Sequence, residues 1–257
     1  MGMSPSEMLD FFREQIDIFS LGLNESIKNK NYYHAVDCLN EKLKSALMSG
    51  LIQWRHEIDS PIKNLDKCIS FSQEAYEILP SMDKNATHWK NFNFCIPIFV
   101  SILLGKKADG DFRKMILDLA EWRSAANQHS NTILETALII KFEKLTNPAE
   151  WDDIIKHLSK RKRMTLMRES FENYMLLIDA AHKGDSETMN ERVHAGIKLF
   201  EKRDKDGFYS GGLPIYGGGP DNEHVVDFIL ASIVQHCRVK YKNSSNVTVN
   251  SIHLWNY

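Results

Sequence analysis

Glycine, proline and cysteine are scarce in this sequence of 257 residues, which contains 13, 7 and 4 of them. So few glycines and prolines leave little room for disordered linkers, and collagen-like or low-complexity classes are excluded. The four cysteines form no C-x-x-C pair, which favours free, mostly buried thiols in a reducing compartment. A cytoplasmic location is therefore expected.

Long apolar runs and a large excess of one charge are also missing. The most apolar stretch, residues 94–104, covers only 11 residues, whereas a membrane-spanning helix needs about 20, so we expect a core helix there. Met1–Glu7 carries no positively charged start of an export signal. The net charge is -2, and the basic run at residues 160–163 has no interleaved aromatic residues. Neither a membrane nor a nucleic acid is predicted as a partner.

The remaining composition is that of a globular protein with a large core. Hydrophobic residues make up 43% of the chain and charged residues 26%. For this mass, surface scaling predicts that about 73% of the unfolded chain's surface is buried on folding. We expect a single domain over residues 1–257, with residue 146 as the place where a subdivision would fall.

Helix boundaries are marked by capping residues. Ser4-Pro5-Ser6-Glu7 has the spacing of a capping box with proline at the first helical position. Gly184 followed by Asp185-Ser186 predicts the end of one helix and the capped start of the next, and Pro80 predicts another helix end.

Between these marks, apolar residues recur every three or four positions, which is the period of amphipathic helices. The clearest examples are Tyr32, Val36, Leu39, Leu43 and Leu47; Ile62, Leu65, Ile69, Tyr76 and Leu79; and Phe171, Tyr174, Ile178 and Ala181. We predict an all-α fold, an irregular bundle of about ten helices stacked as antiparallel hairpins. A regular solenoid is less favoured because no pattern repeats at a fixed period.

A glycine-rich segment, residues 207–220, precedes the last long helix and holds six of the 13 glycines. It lacks the spacing of both common nucleotide-binding loops. Asp221 and Glu223 follow it, and their negative charges would repel a phosphate at the start of the helix. A nucleotide is therefore not expected. The segment is predicted either to close over the bundle or to bind a partner.

Catalytic and metal-binding motifs are not recognisable. No two histidines stand three or four residues apart, and the G-x-S-x-G elbow is absent. Glu191-x-x-His194 matches half of a di-iron motif, but no second such unit exists. Neither a cofactor nor a metal nor a catalytic residue is assigned.

Acidic and aromatic residues flank the glycine-rich segment on both sides. Aromatic anchors rimmed by charge suit a protein interface with a basic partner. The predicted partner-binding residues are Asp206, Tyr209, Tyr216, Asp221, Glu223 and Asp227.

The C-terminal part of the chain, residues 163–240, resembles the all-α immunity proteins of bacterial polymorphic-toxin systems, both contact-dependent and type VI secretion systems. The resemblance rests on a helix pair from Ala180 to Arg203, the glycine-rich segment after it, and Asp221-Asn-Glu-His-Val-Val-Asp227 at the start of a last helix. It implies a cytoplasmic protein without chemistry of its own. Such a protein binds a cognate toxin and occludes its active site. The acidic residues around the glycine-rich segment predict that the cleft of this toxin is basic.

Two other functions fit the same sequence. The succession of helical hairpins suits an adaptor of the tetratricopeptide type, which binds a protein or peptide in a groove lined by helices. An enzyme would instead build its site from Asp221, Glu223 and His224. The oligomeric state is left open.

Overall fold

The computed structural model describes residues 4–82, 92, 95–106, 165–205 and 227–240, and every regular element among them is a helix. The all-α prediction is confirmed for this part of the chain, which holds seven helices, against about ten predicted for the whole. The helices are α1 (Pro5–Lys28), α2 (Tyr32–His56), α3 (Ile62–Met82), α4 (Cys95–Leu103), α5 (Thr165–Lys183), α6 (Ser186–Lys205) and α7 (Phe228–Lys240).

The predicted capping residues largely set the helix boundaries. At the start of α1, the Ser4 hydroxyl accepts the Glu7 N–H, and the Glu7 carboxylate accepts the Ser4 N–H at 2.7 Å. Between α5 and α6, Gly184 has a φ of 71°, which favours glycine, and Asp185 accepts the Thr188 N–H at 3.0 Å. The predicted end at Pro80 is wrong by two residues, because α3 continues to Met82.

The helices α1, α2 and α3 pack in sequence order, α1 on α2 and α2 on α3. Because only residues 29–31 connect α1 to α2, the two packed helices are antiparallel. The predicted apolar stripe of α2 is confirmed as core, since all five of its residues are buried.

The contact between α2 and α3 is close at one point and charged at another. A Cβ added at Gly50 would lie 2.6 Å from a terminal carbon of the buried Leu65 side chain. Farther along, the ammonium of Lys42 lies 2.6 Å from the Glu74 carboxylate and 4.5 Å from the centre of the Phe71 ring. Lys42 is buried, so the pair and the ring together compensate a charge removed from water.

The chain divides into two compact units, Met1–Ser101 with Glu223–Val225, and Ile102–Asn222 with Val226–Tyr257. Helices α1 to α3 belong to the first unit and α5 to α7 to the second, while α4 spans the boundary. Compact units can still belong to one cooperative domain, so the single domain over residues 1–257 stays a prediction.

Within the described ranges, no helix is both long enough and apolar enough to span a membrane. The apolar stretch that contains Pro97 forms α4, which has only 9 residues. Its side chains Ile96, Ile98, Phe99, Val100 and Leu103 are buried, as expected for a core helix.

Candidate functional site

Five of the six predicted partner-binding residues lie outside the described residues: Asp206, Tyr209, Tyr216, Asp221 and Glu223. The whole glycine-rich segment, the basic run at 160–163 and His224 also lie outside them. The described helices nevertheless reach both ends of this region. Helix α6 ends at Lys205, and α7 begins at Phe228 directly after Asp227, the sixth predicted residue.

Asp227 is fully buried and caps α7. One oxygen of its carboxylate accepts the main-chain N–H of Leu230 at 3.0 Å, and the other accepts the hydroxyl of Tyr174, which comes from α5. Its main-chain carbonyl accepts the Ala231 N–H at 3.0 Å. The carboxylate therefore joins the start of α7 to the middle of α5, and a direct contact of Asp227 with a partner stays a prediction.

The cap at Asp227 had a local signal in the sequence. An aspartate directly before an apolar helical run is a preferred N-cap, because its side chain can accept a free N–H of the first turn. The run from Phe228 to Val234 is buried at every position. Nothing in the sequence, however, identified Tyr174 as the second donor, since it lies 53 residues earlier.

Helix α7 packs against the hairpin that α5 and α6 form. The Asn173 side-chain amide donates to the Arg192 carbonyl at 2.8 Å, which joins the two helices of the hairpin. A Cβ added at Gly196 would lie 3.0 Å from the Leu230 side chain, so the glycine permits a close approach of α7. The helix ends on either side of residues 206–226 thus belong to one packed group of three helices.

The histidine of the half di-iron motif is engaged within its own helix. The ring nitrogen Nδ1 of His194 lies 2.8 Å from the carbonyl of Asn190 on α6. Among the described residues, no group of three or more histidine, cysteine, aspartate or glutamate side chains is arranged to hold a metal ion.

Three of the four cysteines, Cys38, Cys68 and Cys237, are free and buried, which confirms the predicted core thiols at these positions. Burial raises the pKa of the Cys68 thiol far above its ordinary value, and it also raises the pKa of Cys38. A nucleophilic cysteine needs the opposite shift. Neither Cys38 nor Cys68 has it.

A surface that the sequence reasoning missed lies on α1. Phe11, Ile18 and Leu21 remain 43%, 54% and 71% exposed, although they are large and apolar. With 3.6 residues per turn, they share an arc of about 80° with Glu14 and Glu25, and both glutamates are exposed. We call these five residues the outer face of α1.

The outer face could have been found from the helical period. The buried residues of α1, Met8, Leu23 and Ser26, project from a separate arc centred about 130° away from the outer face at the same angular spacing. An apolar stripe on each of two sides is more than a helix needs in order to pack on one neighbour. Such a pattern indicates a second contact surface.

No protein-family model, curated protein or solved structure matches this chain.

Proposed function

We propose that this chain is a cytoplasmic immunity-type protein that binds a cognate protein toxin and occludes its active site without a cofactor. The proposed contact residues are Asp206, Tyr209, Tyr216, Asp221 and Glu223, and Asp227 supports them as the cap of α7. The proposal starts from the resemblance of residues 163–240 to all-α immunity proteins.

The observation that carries the proposal is the packing of α6 against α7, the two helices on either side of the contact residues. Helices α6 and α7 meet where Gly196 faces Leu230, and the start of α7 is tied to Tyr174 through Asp227. A binding segment whose two ends are held by a packed scaffold needs less ordering when it binds, and this is why recognition residues so often lie between fixed elements.

The charge of the contact residues determines the kind of partner. Asp206, Asp221 and Glu223 would attract a positively charged cleft and raise the association rate, and the two tyrosines would supply apolar contact area at its centre. Occlusion of an active site requires only this contact. Screening by salt should therefore slow association.

We propose in addition that the whole chain has about ten helices, stacked as antiparallel hairpins, with one glycine-rich segment among them. The packing of consecutive helices supports it, since α1 lies on α2, α2 on α3, and α5 on α6.

Affinity capture of the tagged chain from its host, followed by mass spectrometry and growth assays of each captured protein, tests the function. We expect one stoichiometric partner that stops growth when it is expressed alone and is harmless when this chain is co-expressed. Several harmless partners would favour an adaptor, and turnover that is lost in His224→Ala would favour an enzyme. Either result would refute the immunity function.

Charge reversal then tests the site. The double variant Asp221→Lys/Glu223→Lys should lose protection and slow the association measured by stopped flow, with a smaller dependence on salt. The matched control is Glu77→Lys, which reverses an exposed charge on α3 and is not one of the proposed contact residues. Equal effects of the control and the double variant would remove these two residues from the site.

A further inference from the structure

The outer face of α1 combines exposed apolar side chains with negative charge. From Phe11 to Leu21 it extends about 15 Å along the helix, at 1.5 Å per residue. The three apolar side chains are 43–71% exposed and form a stripe on one face of one helix, which Glu14 interrupts between Phe11 and Ile18. A stripe of this kind, with anchors about two and three turns apart, is the geometry by which helices dock partner segments.

The charge of α1 restricts what can cover this stripe. The helix carries five carboxylates, Glu7, Asp10, Glu14, Asp17 and Glu25, against the two cations Arg13 and Lys28. Arg13 is already paired with Asp10 at 2.7 Å. Glu14 stands between Phe11 and Ile18, and Glu25 stands one turn beyond Leu21. Charged groups of any occupant would therefore lie close to carboxylates.

Two common occupants fit this charge badly. A second copy of the chain would place its own outer face, with the same carboxylates, against the first, and like charges in an interface are costly. An anionic membrane surface would be repelled by the same groups. A segment with apolar side chains flanked by lysine or arginine is attracted by them.

The outer face is also held in a fixed position. Helix α1 packs against α2, and beside the outer face, about 20° around the helix from Phe11, a Cβ at Gly22 would lie 3.0 Å from the Cys38 sulfur. The capping box at Ser4 fixes its first turn. A preorganised helix loses little conformational entropy when a partner docks on it.

We propose that Phe11, Glu14, Ile18, Leu21 and Glu25 form a docking surface for a basic amphipathic segment of a protein partner. This surface goes beyond the proposed function, because none of its residues is among the proposed contact residues and it does not depend on the partner being a toxin. The apolar side chains provide the contact area, and the two glutamates select a segment with lysine or arginine beside its apolar side chains.

Fluorescence anisotropy with the full-length chain tests the surface. The probe is a labelled helical peptide of about five turns with leucines along one face and lysines beside them, and its partner probe replaces every lysine with glutamate. The chain should bind the lysine peptide, more weakly as salt rises, and should not bind the glutamate peptide. Equal binding of both peptides, or binding of neither, overturns the proposal.

Variants locate the binding. Ile18→Ser and Leu21→Ser should each weaken binding of the lysine peptide about tenfold, because each removes an apolar anchor, and Glu14→Lys should weaken it and reduce its salt dependence. The matched control is Leu176→Ser on α5, which removes an apolar side chain that is 45% exposed, and it should leave binding unchanged. All four side chains are exposed, so the helical circular dichroism spectrum should stay the same.

Two further measurements exclude the other occupants. Sedimentation of the wild-type chain and of Leu21→Ser should give the same mass, and vesicles of phosphatidylglycerol should not bind the chain. A dimer that Leu21→Ser dissociates would show that a second copy covers the face, and vesicle binding that the same variant abolishes would show that lipid does. Either result overturns the proposal, as would a control variant that weakens peptide binding as much as Leu21→Ser.

Discussion

Replacing Asp227 with alanine tests the role that the structure gives to its buried carboxylate. The variant removes the acceptor of the Leu230 N–H and the acceptor of the Tyr174 hydroxyl, while both donors stay in place. Loss of an N-cap costs about 1 kcal/mol, and a buried hydroxyl that loses its acceptor costs about 1–3 kcal/mol. We therefore expect the free energy of unfolding to fall by about 2–4 kcal/mol.

Two further variants separate the cap from the contact with α5. Asp227→Asn keeps a cap oxygen and should be milder than alanine, because asparagine is as good an N-cap as aspartate. Tyr174→Phe removes the hydroxyl but keeps the cap. When both Asp227→Ala and Tyr174→Phe are present, no hydroxyl is left without its acceptor. The double variant should therefore lose about 1 kcal/mol less than the sum of the single losses.

Urea unfolding followed by far-ultraviolet circular dichroism measures these differences, provided that the m value is the same for all variants. A loss of under about 0.5 kcal/mol for Asp227→Ala, the range of ordinary surface substitutions, would refute the structural role. Strict additivity of Asp227→Ala and Tyr174→Phe would refute the coupling to α5. A folded Asp227→Asn with normal stability but slower partner association would show that Asp227 also contacts the partner.

Three other predictions concern packing, reactivity and pH. Gly50→Ala should lower the free energy of unfolding by about 1–2 kcal/mol, since overpacking against the buried Leu65 exceeds the gain in helix propensity. In denaturant titrations, Leu65→Ala should cost less in the Gly50→Ala background than in the wild-type chain, because it removes the clash. Cys68 should resist alkylation by iodoacetamide in the native protein and react on unfolding, because burial raises its thiol pKa; fast native labelling would contradict its burial. Hydrogen bonds from Thr188 lower the pKa of Asp185 below its ordinary 3.8, so its stabilisation is present above that pH and is lost as the pH falls through the folded-state pKa. Asp185→Asn should therefore show a weaker acid dependence of stability, and equal dependence in both proteins would contradict the prediction.

The parts of the fold that depend on neighbours in sequence could be predicted. The capping box at Ser4 and the glycine turn at Gly184 need only residues three or four positions apart, and both are present as expected. The buried stripe of α2 follows from the helical period alone. Ile62, the first member of the predicted apolar stripe of α3, is 46% exposed. It is the first residue of α3, and a helical side chain leans toward the preceding turn, which is missing at that position.

The candidate sites depend on distant residues, and this limits what the sequence alone can predict. In the sequence, Asp227 is one of several acidic residues near the glycine-rich segment. In the fold, its carboxylate accepts a hydrogen bond from the hydroxyl of Tyr174, which lies 53 residues earlier. In α1 the apolar side chains of Ile18 and Leu21 suggest core positions, but both are exposed in the fold. Charge and hydrophobicity fix what a side chain can bind, whereas packing decides whether that capacity is used inside the fold or offered to a partner. The variants at Asp227 therefore test stability, and the variants on the outer face of α1 test binding. Leu21→Ser should leave the stability of the second unit unchanged, and Asp227→Asn should leave the affinity for the lysine peptide unchanged.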